Sequence, residues 1–333
     1  MTGQVIELDL FCSGLQGKFH SNSSLFQLSN LKQLDLSYND FSGLLIPTKF
    51  GELSSLTHLH LEYSGAQLRG VLPERIFHLS NLEHLFLSSN SLTGPILSNV
   101  SGLQNLKLIA LSPNYLNGTI PSWIFSLPSL SGLGLCNNSF SGKIQEFKSK
   151  TLYAVVLKQN QLQGPIPKSL LDQQGLNYLI LSQNNLSEQI ASTVCNLKTL
   201  RVLDLGSNHL NGTIPHCLGE MSELQVLGLN NDSLSGTINT TFSTGNKLSI
   251  INLYGNKLKG QVPPSLINCR YLEFLDLGNN ELNDKFPSWL GGLSDLKILS
   301  LRSNKLPSPI SDSRTDNLFA KIRVIDLSSN GFS

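Results

Sequence analysis

A nine-residue pattern, Leu-x-x-Leu-x-Leu-x-x-Asn, recurs along the chain at nearly constant spacing. Its last position, here called the anchor, occurs fourteen times and is Asn in eleven of them. The anchors are Ser13, Asn39, Ser64, Asn90, Asn114, Asn138, Asn160, Asn184, Asn208, Asp232, Asn256, Asn280, Asn304 and Asn330. Their intervals of 22 to 26 residues fall in the range typical of leucine-rich repeats. One such unit cannot bury its own apolar face, so the chain is expected to fold by stacking units into a solenoid.

Each repeat is expected to form one short strand before its anchor. The Leu residues three and five positions before the anchor point inward and the residue between them points to solvent, so Leu34 and Leu36 should be buried and Asp35 exposed. The anchor amide both donates to and accepts from buried main-chain groups, and stacked anchors should therefore form a hydrogen-bond ladder. Asp232 and the two Ser anchors offer fewer donors, which predicts a weaker ladder at those repeats.

A second pattern, Leu-x-Gly-x-(Ile/Val/Phe)-Pro, follows most anchors. Examples are the segments 116–121, 162–167, 210–215 and 258–263. Gly permits a bend and Pro prevents a helix from starting early. The expected fold is an α/β leucine-rich-repeat solenoid of the plant-specific 24-residue type, with a parallel β-sheet on the concave face and short 3-10 or α segments on the convex face.

The segments Gly14 to Gly43, Asn117 to Ser129 and Ser139 to Thr151 give the chain a family resemblance. It resembles the tomato receptor-like proteins that confer resistance to the leaf mould fungus Cladosporium, and the resemblance runs over the whole chain. It implies an extracellular ligand-recognition segment of a plant cell-surface immune receptor. The implied partners are a pathogen-derived protein or peptide, bound on the concave face, and, for the full-length protein only, a receptor-like kinase.

Members of that family also carry a signal peptide, two caps and one transmembrane helix that anchors them in the plasma membrane. The sequence shows no such leader and no run of 18 apolar residues, so no membrane insertion is expected of this chain. We therefore expect residues 1–333 to be a single array of about fourteen repeats, a fragment without its caps. Leu8 and Leu10 at one end, and Ile325 and Leu327 at the other, should then expose repeat core.

Composition and motifs exclude several other classes of protein. The formal net charge of +1 argues against binding of nucleic acid through a basic surface. The sequence has no Gly-rich phosphate loop, CxxC, nucleophile elbow or HExxH, so we expect neither an enzyme nor a cofactor. The alternative function is a secreted plant leucine-rich-repeat inhibitor of fungal cell-wall-degrading enzymes, although such inhibitors have about ten repeats and two cysteine-rich caps.

Five cysteines leave at least one without a partner in the chain. Cys195 and Cys217 lie 22 residues apart on the outer side of adjacent repeats, within reach of a disulfide, and the sequence alone leaves pairing and two free thiols open. Cys269 stands where the repeat usually has Leu, which predicts a small buried side chain.

The chain also carries eight Asn-x-Ser/Thr sequons for N-glycosylation, and none of them uses an anchor Asn. They begin at Asn22, Asn99, Asn117, Asn137, Asn185, Asn211, Asn231 and Asn239. Their placement at expected exposed edges is typical of a secreted glycoprotein. Residues 23–98 and 240–333 contain none, which leaves two stretches where a protein partner would meet no glycan.

Candidate binding residues are those that depart from the usual polar character of the concave face. The first group gathers three of the seven histidines with acidic and aromatic neighbours on two strands. Its members are His58, His60, Glu62, Tyr63, Glu83, His84 and Phe86. A partner contact, an incidental polar surface and a metal site are the three interpretations, although the His spacing matches no known metal motif.

A second group surrounds the shortest repeat, where the Ile-Pro step is replaced. Its members are Tyr153, Val156, Lys158, Tyr178, Ile180 and Arg201. Aromatic and Arg side chains are favoured anchors of protein interfaces. Both groups are therefore predicted to bind protein.

Overall fold

A computed structural model describes residues 4–19, 23–41, 43–63, 68–100, 102–307 and 319–332. The chain divides into two compact units, residues 1–163 and 164–333. The anchor Ser64 and the sequon residue Asn22 lie outside the described residues. Each unit is a stack of the predicted repeats.

The first unit consists of short parallel strands in two sheets. Its strands are β1 (Glu7–Asp9), β2 (Gln33–Asp35), β3 (His58–His60), β4 (Arg69–Gly70), β5 (His84–Phe86), β6 (Ser91–Pro95), β7 (Leu108–Ala110), β8 (Tyr115–Thr119), β9 (Gly132–Gly134), β10 (Ser139–Lys143), β11 (Ala154–Val156) and β12 (Gln161–Gly164). The Leu-x-Leu strands β1, β2, β3, β5, β7, β9 and β11 pair in that order and form the inner sheet, which is the predicted concave face. Strands β4, β6, β8, β10 and β12 form the second sheet.

The second unit repeats this arrangement. Its strands are β13 (Tyr178–Ile180), β14 (Asn185–Gln189), β15 (Val202–Asp204), β16 (His209–Gly212), β17 (Val226–Gly228), β18 (Ser233–Thr237), β19 (Ile250–Asn252), β20 (Lys257–Gly260), β21 (Phe274–Asp276), β22 (Glu281–Leu282), β23 (Ile298–Ser300) and β24 (Val324–Asp326). Its inner sheet has the order β13, β15, β17, β19, β21, β23 and β24, and its second sheet contains β14, β16, β18, β20 and β22.

The second sheets are an addition to the predicted fold. They are built from the Leu-x-Gly segments, which sequence analysis interpreted only as bends. In β16 the pairing sets Asn211 opposite Ser233 and Gly212 opposite Leu234 of β18. Parallel pairing of successive Leu-x-Gly segments therefore satisfies main-chain groups that a simple bend would leave to solvent.

The segments that return the chain to the next repeat contain the predicted short helices. Two are α-helical, α1 (Ser122–Phe125) and α2 (Lys168–Leu171), and seven are 3-10 helices, at Ser24–Gln27, Thr48–Glu52, Glu74–His78, Ser192–Asn196, His216–Gly219, Pro264–Asn268 and Ser288–Gly292, within the described residues. Proline caps most of them, as Pro121 does for α1 and Pro215 for the helix that begins at His216. The fold is thus the leucine-rich-repeat solenoid that the sequence predicts.

Burial follows the repeat pattern. Leu34 and Leu36 are 1% and 2% exposed, and Asp35 between them is only partly buried. The shortest repeat replaces its missing Ile-Pro step with Phe147, which is buried and packs edge-on against Phe125 at a ring separation of 5.1 Å. Aromatic volume therefore fills the gap that the shorter chain would leave in the core.

The anchor amides form the predicted ladder. In Asn208, Nδ2 donates to the carbonyl oxygens of Leu205 at 2.7 Å and Leu181 at 3.1 Å, and Oδ1 accepts from the Leu186 N–H at 2.9 Å. Asn256, Asn280 and Asn304 repeat this arrangement along the second unit. Each amide thus joins main-chain groups of successive repeats that would otherwise be buried without partners.

Asp232 is the exception that the sequence predicts to weaken the ladder. Its Oδ1 accepts from the Leu210 N–H at 2.9 Å, whereas its Oδ2 is buried without a hydrogen-bond partner. Burial raises the pKa of this carboxyl from its ordinary value of 3.8 to about 7, against the lowering effect of the Leu210 and Asn208 main-chain donors. A charged carboxylate is therefore disfavoured at this ladder position.

The cysteines fall into three environments. Cys195 and Cys217 form a disulfide with their Cα atoms 5.7 Å apart. Cys269 is fully buried, as predicted, and burial raises the pKa of its thiol to about 12. Cys12 is exposed and Cys136 is half-buried. The disulfide thus joins the outer sides of two adjacent repeats in the second unit.

Residues of the first and last described repeats are more exposed than their counterparts elsewhere. Leu8, Leu10 and Leu327 are half-buried and Ile325 is 43% exposed, whereas the equivalent Leu34 and Leu36 are almost fully buried. These side chains have a neighbouring repeat on one side only.

Replacing Asp232 with Asn is expected to stabilise the protein at neutral and higher pH. Because the pKa of Asp232 is raised, the folded chain keeps a proton on this carboxyl that the unfolded chain loses above about pH 4. The contribution of Asp232 to stability therefore declines as pH rises and is lost above about pH 7. Asp232→Asn should increase the free energy of unfolding at pH 8 by about 1–3 kcal/mol and change it little at pH 4. Thermal unfolding at both values measures this, with Asp172→Asn at an exposed site as control. An equal effect at both pH values would contradict the assignment.

Removing the disulfide with Cys195→Ser and Cys217→Ser is expected to lower stability. Loss of a cross-link across 22 residues increases the entropy of the unfolded chain, at a cost of about 3 kcal/mol. Thermal unfolding of this variant and of Cys12→Ser, a matched exposed change, measures the difference. Alkylation of all five cysteines without prior reduction would show that the bond is absent in the protein.

Candidate ligand-binding surface

The predicted histidine group lies together on the inner sheet of the first unit. Strands β3 and β5 pair with His58 opposite His84 and His60 opposite Phe86. The His58 and His84 ring centroids lie 4.1 Å apart, and His60 stacks on Phe86 at 4.5 Å with 13° between the ring planes. These four side chains, here called the histidine cluster, form one continuous aromatic surface at the end of the repeat stack nearer residue 1.

Local contacts and charges set the state of the histidines. Burial lowers the pKa of His58 and of His84 below the usual range, and the charge of a neighbouring His lowers each pKa further, partly opposed by Glu83. The Nδ1 of His58 lies 2.8 Å from the Thr57 hydroxyl. Near neutral pH these two rings are therefore uncharged, and they become protonated only in more acidic solution.

His60 has a different environment. Its Nδ1 lies 3.4 Å from Asp35 Oδ2, and its Nε2 is buried without a hydrogen-bond partner. A buried ring nitrogen without a partner carries a desolvation cost.

Carboxylates surround the histidine cluster. A cavity of about 120 Å³ adjoins His58 and His60 and is lined by Glu7, Asp9 and Asp35. On the other side, Glu83 accepts a 2.6 Å hydrogen bond from Lys107 Nζ, which holds the pKa of Glu83 below its usual value. The charge of Lys107 is thus balanced by Glu83. The carboxylates of the cavity give the edge of the cluster at His58 and His60 an acidic character.

An exposed row of three aromatic rings lies near the cluster, and only Tyr63 among them is a predicted binding residue. Tyr38 stacks on Tyr63 with centroids 4.6 Å apart and contacts Phe11 at 5.0 Å. The three rings are about half exposed. The sequence signal for this row is an aromatic residue at one of the two positions directly before three successive anchors.

Strands β7, β9 and β11 continue the inner sheet with small side chains. Gly132 and Gly134 face the same side as Ala110 and Ala154. A Cβ atom at Gly132 would lie 2.7 Å from Leu108 Cδ2, so Leu108 lies over that glycine. The surface next to the histidine cluster is consequently apolar and is formed by Leu108 together with small side chains.

The second predicted group divides between the two units. In the first unit Tyr153 is exposed, and Val156 and Lys158 are half-buried at the inner sheet. In the second unit Tyr178 and Ile180 are half-buried on β13. Arg201 is exposed just before β15. The role of these six residues in binding stays a prediction.

The seven described sequon asparagines are all exposed. They are Asn99, Asn117, Asn137, Asn185, Asn211, Asn231 and Asn239. Asn117, Asn185 and Asn211 lie on the second sheets. Exposure satisfies the steric requirement for glycosylation at these residues, which remains a prediction.

Within the described ranges of the chain, no three His, Cys, Asp or Glu side chains lie close enough together to hold a metal ion. In the same ranges, no helix is long and apolar enough to cross a membrane.

Comparison with known proteins identifies the repeats and their relatives. The Leucine Rich Repeat family model matches residues 30–53, 81–103, 199–221, 247–269 and 271–293. The receptor-like protein Cf-9 homolog of Solanum lycopersicum and the receptor-like protein Cf-9 of Solanum pimpinellifolium are both 44% identical to the chain. Each match covers 27% of this chain and 19% of the relative. The match thus spans about a fifth of the length of these curated relatives.

Solved structures with a similar fold include a plant receptor ectodomain. The leucine-rich-repeat ectodomain of the Arabidopsis receptor kinase HAESA, in complex with an extended IDA peptide hormone, is 28% identical with a TM-score of 0.83, over 92% of this chain and 51% of that one. HAESA in complex with IDA and the co-receptor SERK1 gives a TM-score of 0.80 at 28% identity, over 96% and 57%.

Fold, repeat motif and relatives agree with the resemblance that the sequence indicates. Five segments of the chain match the leucine-rich-repeat family model, and over the matched part the chain is similar to the receptor-like proteins of the Cf-9 group.

Proposed function

We propose that the chain is the extracellular ligand-recognition segment of a plant cell-surface immune receptor and that it is not an enzyme. The histidine cluster with its acidic edge on the inner sheet of residues 4–163 is the observation that carries this proposal. Relatives named as receptor-like proteins and a peptide-bound receptor ectodomain of similar fold support it. The ligand is a pathogen-derived protein or peptide.

The chemistry of the surface indicates what the ligand presents. Stacked rings of His60 and Phe86 offer an apolar face, and aromatic side chains contribute strongly to protein interfaces. The cavity lined by Glu7, Asp9 and Asp35 is suited to a Lys or Arg side chain. The ligand is therefore expected to combine apolar and basic groups.

The location of sequons supports a protein contact at this surface. The histidine cluster falls within residues 23–98, which contain no sequon, whereas the sequons of the second sheets would carry glycan on another face. An extracellular location, anchored at the plasma membrane in the full-length protein, follows from the receptor proposal. A receptor-like kinase is the proposed signalling partner of the full-length protein, by analogy with the complex of HAESA and SERK1.

Replacing His58, His60, His84 and Phe86 together with Ala is expected to abolish ligand capture. The change removes the aromatic surface and should weaken binding at least tenfold, about 1.4 kcal/mol or more. Pull-down from fungal apoplastic proteins identifies the ligand, and titration of that ligand against both forms measures the effect.

A matched control carries four Ala changes at the equivalent positions of two neighbouring strands in the second unit, Ile250, Asn252, Phe274 and Asp276. This control should bind like the unchanged protein. Equal loss in both variants, or no loss in either, would contradict a site at the histidine cluster.

Affinity is expected to weaken as pH falls from 7 to 5. Contact with the ligand buries His58 and His84 further and favours their neutral forms, so binding must release protons once the free rings are charged. A basic ligand would also be repelled by the charged rings. A decrease in affinity of about threefold to tenfold corresponds to a lowering of the histidine pKa by about 0.5 to 1 on binding.

The same titration with His58→Gln and His84→Gln tests the origin of this dependence. The affinity of the double variant should change less over this range than that of the unchanged protein, because the variant lacks the two rings that exchange protons there and Glu83 loses its proton at lower pH. An affinity of the unchanged protein that is constant from pH 5 to 7 would count against the histidine cluster as the contact.

A further inference from the structure

A groove of about 610 Å³ lies on the second unit, away from the inner sheet. It runs between the ends of the second-sheet strands and the starts of the short helices. Gln189, Thr213 and Thr237 line it from three successive repeats, together with Ser192, His216 and Lys259. Ile190 and Ile214 are 5% exposed at its base. Its volume lies within the usual range of about 300–1,000 Å³ for small-ligand sites.

The strand-side wall of the groove is fixed by glycines with positive φ. Gly212 (φ +79°) and Gly236 (φ +81°) leave room for a side chain from the preceding repeat. A Cβ atom at Gly212 would lie 2.8 Å from Gln189 Cγ, and one at Gly236 would lie 3.1 Å from Thr213 Cγ2. Gln189 and Thr213 are thus seated over these glycines, and their position along the groove is defined by the packing.

Asn239 lies in the wall of the groove and departs from the repeat pattern. It takes the place that Pro215 and Pro263 occupy in the repeats before and after it. Those prolines begin 3-10 helices, whereas the chain after Asn239 forms no helix before β19. The Asn239 N–H donates to the Thr237 carbonyl at 2.8 Å, and its side chain is exposed.

Asn239 is also the acceptor of the sequon Asn239-Thr240-Thr241. Thr241, whose hydroxyl completes the sequon, is exposed as well. A glycan attached to Asn239 would therefore start at the wall of the groove itself. Asn185, by contrast, is an exposed sequon residue that does not line it.

The groove has the chemistry that a neutral sugar requires. Hydroxyl, amide and imidazole groups around its rim donate and accept hydrogen bonds, and no carboxylate lines it. The side chains of Ile190, Ile214 and Pro215 supply a small apolar base for the acetamido methyl group of the first sugar. A covalent tether gives this sugar an effective concentration in the millimolar range, so weak contacts are enough to hold it.

We propose that the N-linked glycan of Asn239 folds back and seats its first sugars in this groove. The inference rests on the extracellular location proposed above, because only a secreted chain receives such a glycan. The seated glycan covers the groove of the second unit, which is then closed to protein partners.

Release of each glycan by a peptide:N-glycosidase tests the proposal. The protein is secreted from plant cells, kept folded during digestion, and assayed by mass spectrometry of the peptides that contain Asn239, Asn185 and Asn99. Release at Asn239 should be at least tenfold slower than at the other two residues in the folded protein, and all three should react alike after denaturation. Equal release in the folded protein, or an unglycosylated Asn239 beside glycosylated Asn99 and Asn185, would overturn it.

An absence of glycan at every sequon would overturn both this inference and the proposed extracellular function. Glycan at Asn99 and Asn185 with rapid release at Asn239 would overturn the inference alone. The two failures are thus distinguishable in one experiment.

Variants in the groove separate local seating from general shielding. Gln189→Ala with Lys259→Ala removes polar contacts of the rim. Release at Asn239 should then come to within about threefold of release at Asn185, because the two glycans would differ only in the crowding around their attachment sites. Lys257→Ala, on the same strand β20 but outside the groove, should leave the protection unchanged. Protection that persists in the double variant, with an unchanged melting temperature, would contradict seating in the groove.

Discussion

The hydrogen bonds of the anchor amides are the interaction on which the other features of this protein depend. An anchor amide joins the strand exit of its own repeat to main-chain groups of the repeat before it, as Asn208 does with Leu181 and Leu186. Because these bonds leave little freedom of register, residues at equivalent positions of successive repeats become direct neighbours. The pairing of His58 with His84 follows from that register. The histidine cluster on the inner sheet is therefore a consequence of the register that the ladder sets.

The fold and the histidine cluster were predictable from the sequence because both depend on local periodicity. An aliphatic residue at a constant distance from the anchor is buried in the repeats between the first and the last described ones. In-register parallel pairing then converts a spacing in sequence into a contact. The second sheet was not predicted, since Leu-x-Gly is equally compatible with a bend. The row of Phe11, Tyr38 and Tyr63 was missed in part because Tyr38 and Tyr63 adopt positive φ values of 59° and 48°, which direct side chains at the strand exit toward one another. The pKa of Asp232 and the groove at Asn239 depend on burial and on side-chain packing, which a repeat pattern does not specify.

The described residues present two chemically different surfaces. On the inner sheet of the first unit, aromatic and imidazole rings lie beside carboxylates, with an apolar surface of Leu108 and small residues next to them. On the second sheets and the adjoining segments, sequon asparagines, hydroxyls and amides predominate. The proposals above place protein recognition on the first surface and glycan on the second.

Photocrosslinking from the inner sheet tests the proposed ligand site most directly. A benzoyl-phenylalanine in place of Phe86 lies in the histidine cluster, and the same residue in place of Phe274 lies at a half-buried position on the inner sheet of the second unit. Irradiation with the ligand captured from fungal apoplastic proteins should crosslink it to position 86 and not to position 274. Crosslinking at position 274 with none at position 86 would contradict the account.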